Sequence, residues 1–134
     1  MKSELLFDSH ALLVFFQNED GAEVVYNILQ KSKEKRMDRL ICIINLGEII
    51  YMTKKRFGDR KKIEILGRIH QLAFKVLPAP DSLVYRAAEI KADYPISYAD
   101  CFAVACAQEH NATIVTGDPD FKNVEHLVKI EWIR

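Results

Sequence analysis

Apolar residues along the chain fall into two alternating patterns: short, mostly apolar runs, and longer stretches in which they recur every three or four positions. The short runs at residues 5–7, 40–44, 74–77, 113–116 and 128–132 predict buried strands. The longer stretches between them predict amphipathic helices. Leu12, Leu13, Phe15 and Phe16 follow Asp8-Ser9, and Asn18-Glu19-Asp20-Gly21 ends that helix. The next, residues 22–35, places Val24, Val25, Ile28 and Leu29 on one face. A third begins at Asn45 and runs to Phe57-Gly58. Asp59 caps a fourth, with Ile63, Leu66, Ile69, His70 and Leu72 on its buried side. Two more occupy residues 81–93 and 98–110, separated by Tyr94-Pro95 and the capping residue Ser97. Strands that alternate with helices require crossovers and therefore parallel neighbours. The expectation is an α/β sandwich of three layers around a mostly parallel sheet of about five strands, with residues 1–134 forming one domain.

Polar residues at the carboxyl ends of such strands are the first to question, because open parallel sheets bind ligands there, at the point where strand order reverses. Asp8 follows the first strand directly. Glu48 lies one turn into the helix after the second, Asp100 one turn into the helix capped by Ser97, and Asp118 two residues after the fourth strand. Each has a plainer reading. Asn45-Leu46-Gly47-Glu48 and Ser97-Tyr98-Ala99-Asp100 both fit capping boxes, Asp8 can cap a helix, and Asp118 can belong to a turn. Taken one at a time, these readings suffice. Together they leave four carboxylates crowded at one edge, where they repel each other unless a hard divalent cation such as Mg²⁺ or Mn²⁺ lies between them.

The same residues give the chain a resemblance to the PIN domain, the fold of many metal-dependent ribonucleases, including the VapC-type toxins of prokaryotic toxin–antitoxin pairs. Residues 5–13, Leu-Leu-Phe-Asp-Ser-His-Ala-Leu-Leu, resemble that family's first strand, catalytic Asp and hydroxyl residue. Glu48 stands like its characteristic Glu. The segment from Ala99-Asp100-Cys101 through a helix of small residues to Thr116-Gly117-Asp118-Pro119-Asp120-Phe121 carries its T-x-D-x-x-F ending. His10 and Asn45 stand where the family often has Ser or Asn, and Ser or Thr. The resemblance implies an endoribonuclease. One or two Mg²⁺ or Mn²⁺ ions would be held by Asp8, Glu48, Asp100 and Asp118, with Ser9 and Thr116 hydrogen-bonding behind them. It also implies a small antitoxin partner and a homodimer. A PIN-like module that binds RNA or protein without cutting is the alternative. A small phosphohydrolase or receiver-type domain is disfavoured, because no D-x-D or acidic doublet follows the first strand.

Other polar features change this picture little. His10, His70, His110 and His126 lack zinc spacing, and Cys42, Cys101 and Cys106 form no C-x-x-C pair, which favours a reducing cytoplasm. The first ten residues do not read as a secretory leader, and no apolar run is long enough to span a membrane. Charge matters more. The chain has 19 basic and 19 acidic residues, and a net charge of zero at first argues against a polyanionic partner. The zero is a cancellation. Residues 1–30, 31–75 and 76–134 carry −4, +8 and −4, so a basic block, including Lys54-Lys55-Arg56 and Arg60-Lys61-Lys62, surrounds Glu48 and can guide a polyanion to the acidic edge.

Overall fold

The computed structural model describes residues 4–134. Five strands, β1 (Glu4–Phe7), β2 (Asp38–Cys42), β3 (Phe74–Leu77), β4 (Thr113–Thr116) and β5 (Ile130–Trp132), form one sheet in the order β3-β2-β1-β4-β5, and every neighbouring pair is parallel. Six helices cover it: α1 (Ser9–Phe16), α2 (Ala22–Glu34), α3 (Ile43–Phe57), α4 (Asp59–Gln71), α5 (Asp81–Asp93) and α6 (Tyr98–His110). A 3₁₀ turn at Pro119–Val124 links β4 to β5. The predicted α/β sandwich is what forms, and its sheet is parallel throughout.

Alternation along the strands divides the core into two layers. Leu6, Leu40, Cys42 and Ile114 point to one face, where α5 and α6 supply Leu83, Ala87, Phe102 and Ala103. Leu5, Phe7, Ile41 and Val115 point to the other, against Leu12 of α1, Val25 of α2, Ile49 of α3 and Ile65 of α4. A strand buried on both faces reads as a continuous apolar run. The run of small residues in α6 follows from its position: Cys101, Ala103, Val104, Ala105 and Cys106 are all buried, so the helix lies close to the sheet.

Four expectations need correction. Ile43 and Ile44 belong to α3 rather than to the strand, so the helix starts at Ile43 with Cys42 as its cap and Asn45 lies inside it. An Ile-rich run has no polar residue to mark where β2 gives way to α3. On α4, Ile65 and Ile69 are the buried positions, whereas Ile63 is 64% exposed and His70 faces solvent. Val24 of α2 is likewise exposed. Asp59 opens the first turn of α4, where it pairs with Lys54 and Lys62 instead of capping.

The sheet order fixes where a site can form. From β1 the chain moves outward through β2 to β3, then returns to lay β4 on the other side of β1. The reversal falls between β1 and β4. Phe7 is in register with Val115, so Asp8 and Thr116 leave the sheet side by side.

Candidate functional site

Asp8 is 1% exposed, and both of its carboxylate oxygens are engaged. Oδ1 accepts from the backbone N–H of Ala11 at 2.8 Å and caps α1, and Oδ2 accepts from the Thr116 hydroxyl. The Thr116 oxygen in turn accepts from the N–H of Asp118 at 3.1 Å. One hydroxyl therefore links the ends of β1 and β4. Beyond it, Asp118 caps the 3₁₀ turn by accepting from the N–H of Asp120 at 2.9 Å. Gly117 is required here by close approach: a Cβ would lie 2.8 Å from Ile133 Cγ1 and 3.0 Å from His10 Cε1.

The other two acids come from helix starts. Ser97 caps α6 by accepting from the N–H of Asp100 at 3.1 Å, and the Asp100 side chain lines the cavity above. Glu48, half-buried in α3, accepts from the Ser9 hydroxyl at 2.9 Å and from Asn45 Nδ2 at 3.2 Å, both at Oε1. The capping readings of Asp8 and Ser97 thus hold. Asn45 caps nothing.

These elements surround a cavity of about 410 Å³. Glu48, Asp100, Asp118 and Asp120 line it together with Ser9 and Ser97, and Arg56 stands at its wall. Asp8 lies behind that lining, within electrostatic reach of Asp100 and Asp118. Asp100, Asp118 and Asp120 each offer an oxygen, and the three atoms lie within 4.8 Å of one another. They are the one such trio of ligating side chains among the described residues, and Asp8 and Glu48 stand outside it. Asp120 therefore shares this space with Asp118, the one of the two that the T-x-D spacing favours. His10 and Arg56 also reach the cavity.

Burial pushes the Asp8 carboxyl from 3.8 up to about 7; the Thr116 and Ala11 hydrogen bonds oppose the rise and the charges of Asp100 and Asp118 add to it. Asp100 is also raised to about 7, again mainly by burial, with Ser97 opposing and Asp118, Glu48 and Asp120 adding repulsion. His10 is held below its ordinary value by burial and by Arg134. Burial disfavours the ionised forms of Asp8 and Asp100, and Asp100 itself offers one of the three converging oxygens, so the site suits a cation that would replace the missing solvation with coordination. An oxygen-only donor set of this kind fits Mg²⁺ or Mn²⁺ better than a softer metal.

The PIN domain family model matches residues 5–127. No curated protein matches the sequence at a significant level. Among solved structures, the chain is similar to VapBC2 from Rickettsia felis bound to a DNA fragment from their promoter, with a TM-score of 0.77, 19% identity, and coverage of 96% of this chain and 97% of that one. It is also similar to the Mycobacterium tuberculosis sarcin–ricin-loop-cleaving toxin VapC20, with a TM-score of 0.73, 13% identity, and coverage of 90% and 94%. DNA-bound VapBC from Salmonella typhimurium gives 0.74, 16% identity and full coverage of both chains.

Proposed function

The chain belongs to the PIN domain family, and on that premise we propose that it is a metal-dependent endoribonuclease acting as the toxin of a toxin–antitoxin pair. The observation that carries this reading is the trio of Asp100, Asp118 and Asp120 at the strand-order reversal, with the buried Asp8 behind it and Glu48 across the cavity. A non-cutting module has no use for so costly a cluster. The resemblance to a toxin that cleaves the sarcin–ricin loop supports RNA as the substrate. The recurrence of VapBC complexes among similar structures supports a small protein partner.

In this reading Asp8, Asp100 and Asp118 would hold the cation in their ionised forms, with Asp120 as a further oxygen donor. When bound, Mg²⁺ or Mn²⁺ supplies positive charge to the phosphate and lowers the pKa of water. Thr116 and Ala11 fix both oxygens of Asp8, so it loses little freedom on binding. Glu48 has one oxygen tied by Ser9 and Asn45, and the other takes up the proton of the attacking water as the new P–O bond forms and the ester P–O bond breaks, the leaving oxygen taking a proton from solvent. Arg56 at the wall, in the basic last turn of α3, meets a neighbouring RNA phosphate. A basic antitoxin side chain would occupy the same acidic cavity. Exposed Tyr51, Met52 and Ile63 on α3 and α4 give the proposed homodimer apolar surface to bury.

The test compares the protein with Asp8→Asn and Asp100→Asn variants on structured RNA in Mg²⁺, Mn²⁺ or EDTA. Cleavage by the unmodified protein alone, abolished by EDTA, is expected. Equal cleavage by all three proteins, or cleavage indifferent to EDTA, would overturn the mechanism. RNA binding without cleavage would support the non-catalytic alternative.

A further inference from the structure

We propose that Asn45 is a positioning residue of the carboxylate site, a buried amide that sets the Glu48 carboxylate and ties the start of α3 to the start of α6. The side chain is 0% exposed. Its Nδ2 donates to Glu48 Oε1 at 3.2 Å and to the carbonyl oxygen of Ala99 at 3.3 Å. Ala99 precedes Asp100, so a single amide joins the segments that carry two of the cavity's acids.

The orientation of the amide is dictated by its neighbours. Both groups facing Nδ2 are acceptors, and a flipped amide would set its own oxygen against a carboxylate and a carbonyl. Oδ1, on the opposite side, is buried with no hydrogen-bond partner. An apolar side chain would fill this space without that unpaired acceptor, so packing alone does not account for an amide here. Its two donors do. With Ser9 donating to the same oxygen at 2.9 Å, Glu48 Oε1 is held from two directions, and Oε2 alone remains to meet a cation or water. The helix boundary makes this possible. Because α3 begins at Ile43, with Cys42 at the cap position, Asn45 lies inside the helix, away from the capping position its sequence neighbourhood suggests, and turns inward.

The inference rests on the nuclease reading for its catalytic consequence, but not for the Asn45–Glu48 link itself. Two measurements separate them. The first compares Asn45→Ala, Asn45→Asp and the donor-retaining Asn45→Ser for Mn²⁺ affinity, read by titration, and for the kcat and KM of RNA cleavage. Loss of a group that orients a metal-site carboxylate costs about 10- to 100-fold in affinity or activity. The Ala and Asp variants are expected to fall in that range in kcat with KM and Mn²⁺ affinity unchanged, as suits a group that sets a proton acceptor, and the Ser variant to recover part of the loss. Wild-type kcat in Asn45→Ala would overturn the proposal. The second is a thermal-melting cycle in EDTA with Asn45→Ala, Glu48→Ala and the double variant. The double variant is expected to melt higher than the sum of the single losses predicts. Strict additivity would overturn the link. If the unmodified protein neither binds Mn²⁺ nor cleaves RNA, the nuclease reading falls, and the melting cycle alone decides the Asn45–Glu48 link.

Discussion

Replacing Asp8 by Asn removes a catalytic group in the proposed mechanism, yet it should stabilise the metal-free protein at neutral and alkaline pH. Asp8 is fully buried, and its carboxyl is raised from 3.8 to about 7. The sign follows from proton binding. Between these values the folded state holds a proton that the unfolded chain has released, so this contribution is fully present below about pH 4 and is lost as pH rises through 7. At about 1.4 kcal/mol per pH unit the span corresponds to roughly 4 kcal/mol. Asparagine avoids that loss. Its Oδ1 keeps the Ala11 bond, but its Nδ2 faces a Thr116 oxygen already accepting from Asp118, so the threonine proton loses its acceptor at a cost of about 1 kcal/mol. The net gain at pH 8 is about 2–3 kcal/mol. For 134 residues at ~2.1 cal/mol/K each, that is a rise of roughly 7–10 °C in Tm. Thermal unfolding by circular dichroism in EDTA at pH 8 and pH 4 measures it. At pH 4 the variant should melt slightly below the unmodified protein. Added Mn²⁺ should raise the Tm of the unmodified protein and leave the variant nearly unmoved. An Asp8→Asn protein that melts lower at pH 8 in EDTA would refute the reasoning.

Three further outcomes are expected. Because Asp8 and Asp100 must both ionise to hold a cation, Mn²⁺ affinity should fall by roughly a hundredfold between pH 8 and pH 6, about tenfold for each group, in a calorimetric titration; a flat profile would show that neither titrates on binding. Arg56→Gln should raise KM for RNA severalfold with kcat unchanged, and reduce the slope of log affinity against log salt by about one, since Gln17 at 3.0 Å is its main hydrogen-bond partner and the Glu19 pair at 3.8 Å is exposed. Gly117→Ala should cost about 1–3 kcal/mol in denaturant unfolding, because the new methyl meets Ile133 and His10, and a neutral result would mean that the C-terminal strand yields freely.

The fold was legible wherever polarity changes sharply along the chain. Phe74–Leu77 ends at Pro78, Ser97 stands before α6, and Thr113–Thr116 is followed by Gly117-Asp118-Pro119; the expected bounds are the observed ones. They were not legible where apolar residues run across a junction, as at Cys42-Ile43-Ile44, since a buried strand end and a buried helix start look alike. Ile63 failed differently: the pattern on α4 admits two adjacent faces, and only packing against β3 and α3 selects the one with Ile65 and Ile69. For the site, spacing brought forward Glu48, Asp100 and Asp118, which line one cavity. It did not bring forward Asn45, whose spacing to Glu48 resembles a capping box until the helix is seen to begin at Ile43. Nor did it separate Asp118 from Asp120, because a 3₁₀ turn after the strand folds both toward Asp100.

The bond from Thr116 to Asp8 joins residues 108 positions apart, and it bears on the order in which the molecule is made. Asp8 and Glu48 leave the ribosome early, but Asp118 and Asp120 join them only when β4 slides in beside β1. Pairing across so long a separation is among the slower events of folding. A nascent chain still held on its own message therefore lacks an assembled cavity. On the ribonuclease reading proposed above, this delay keeps the transcript being read out of danger until the last strands have emerged.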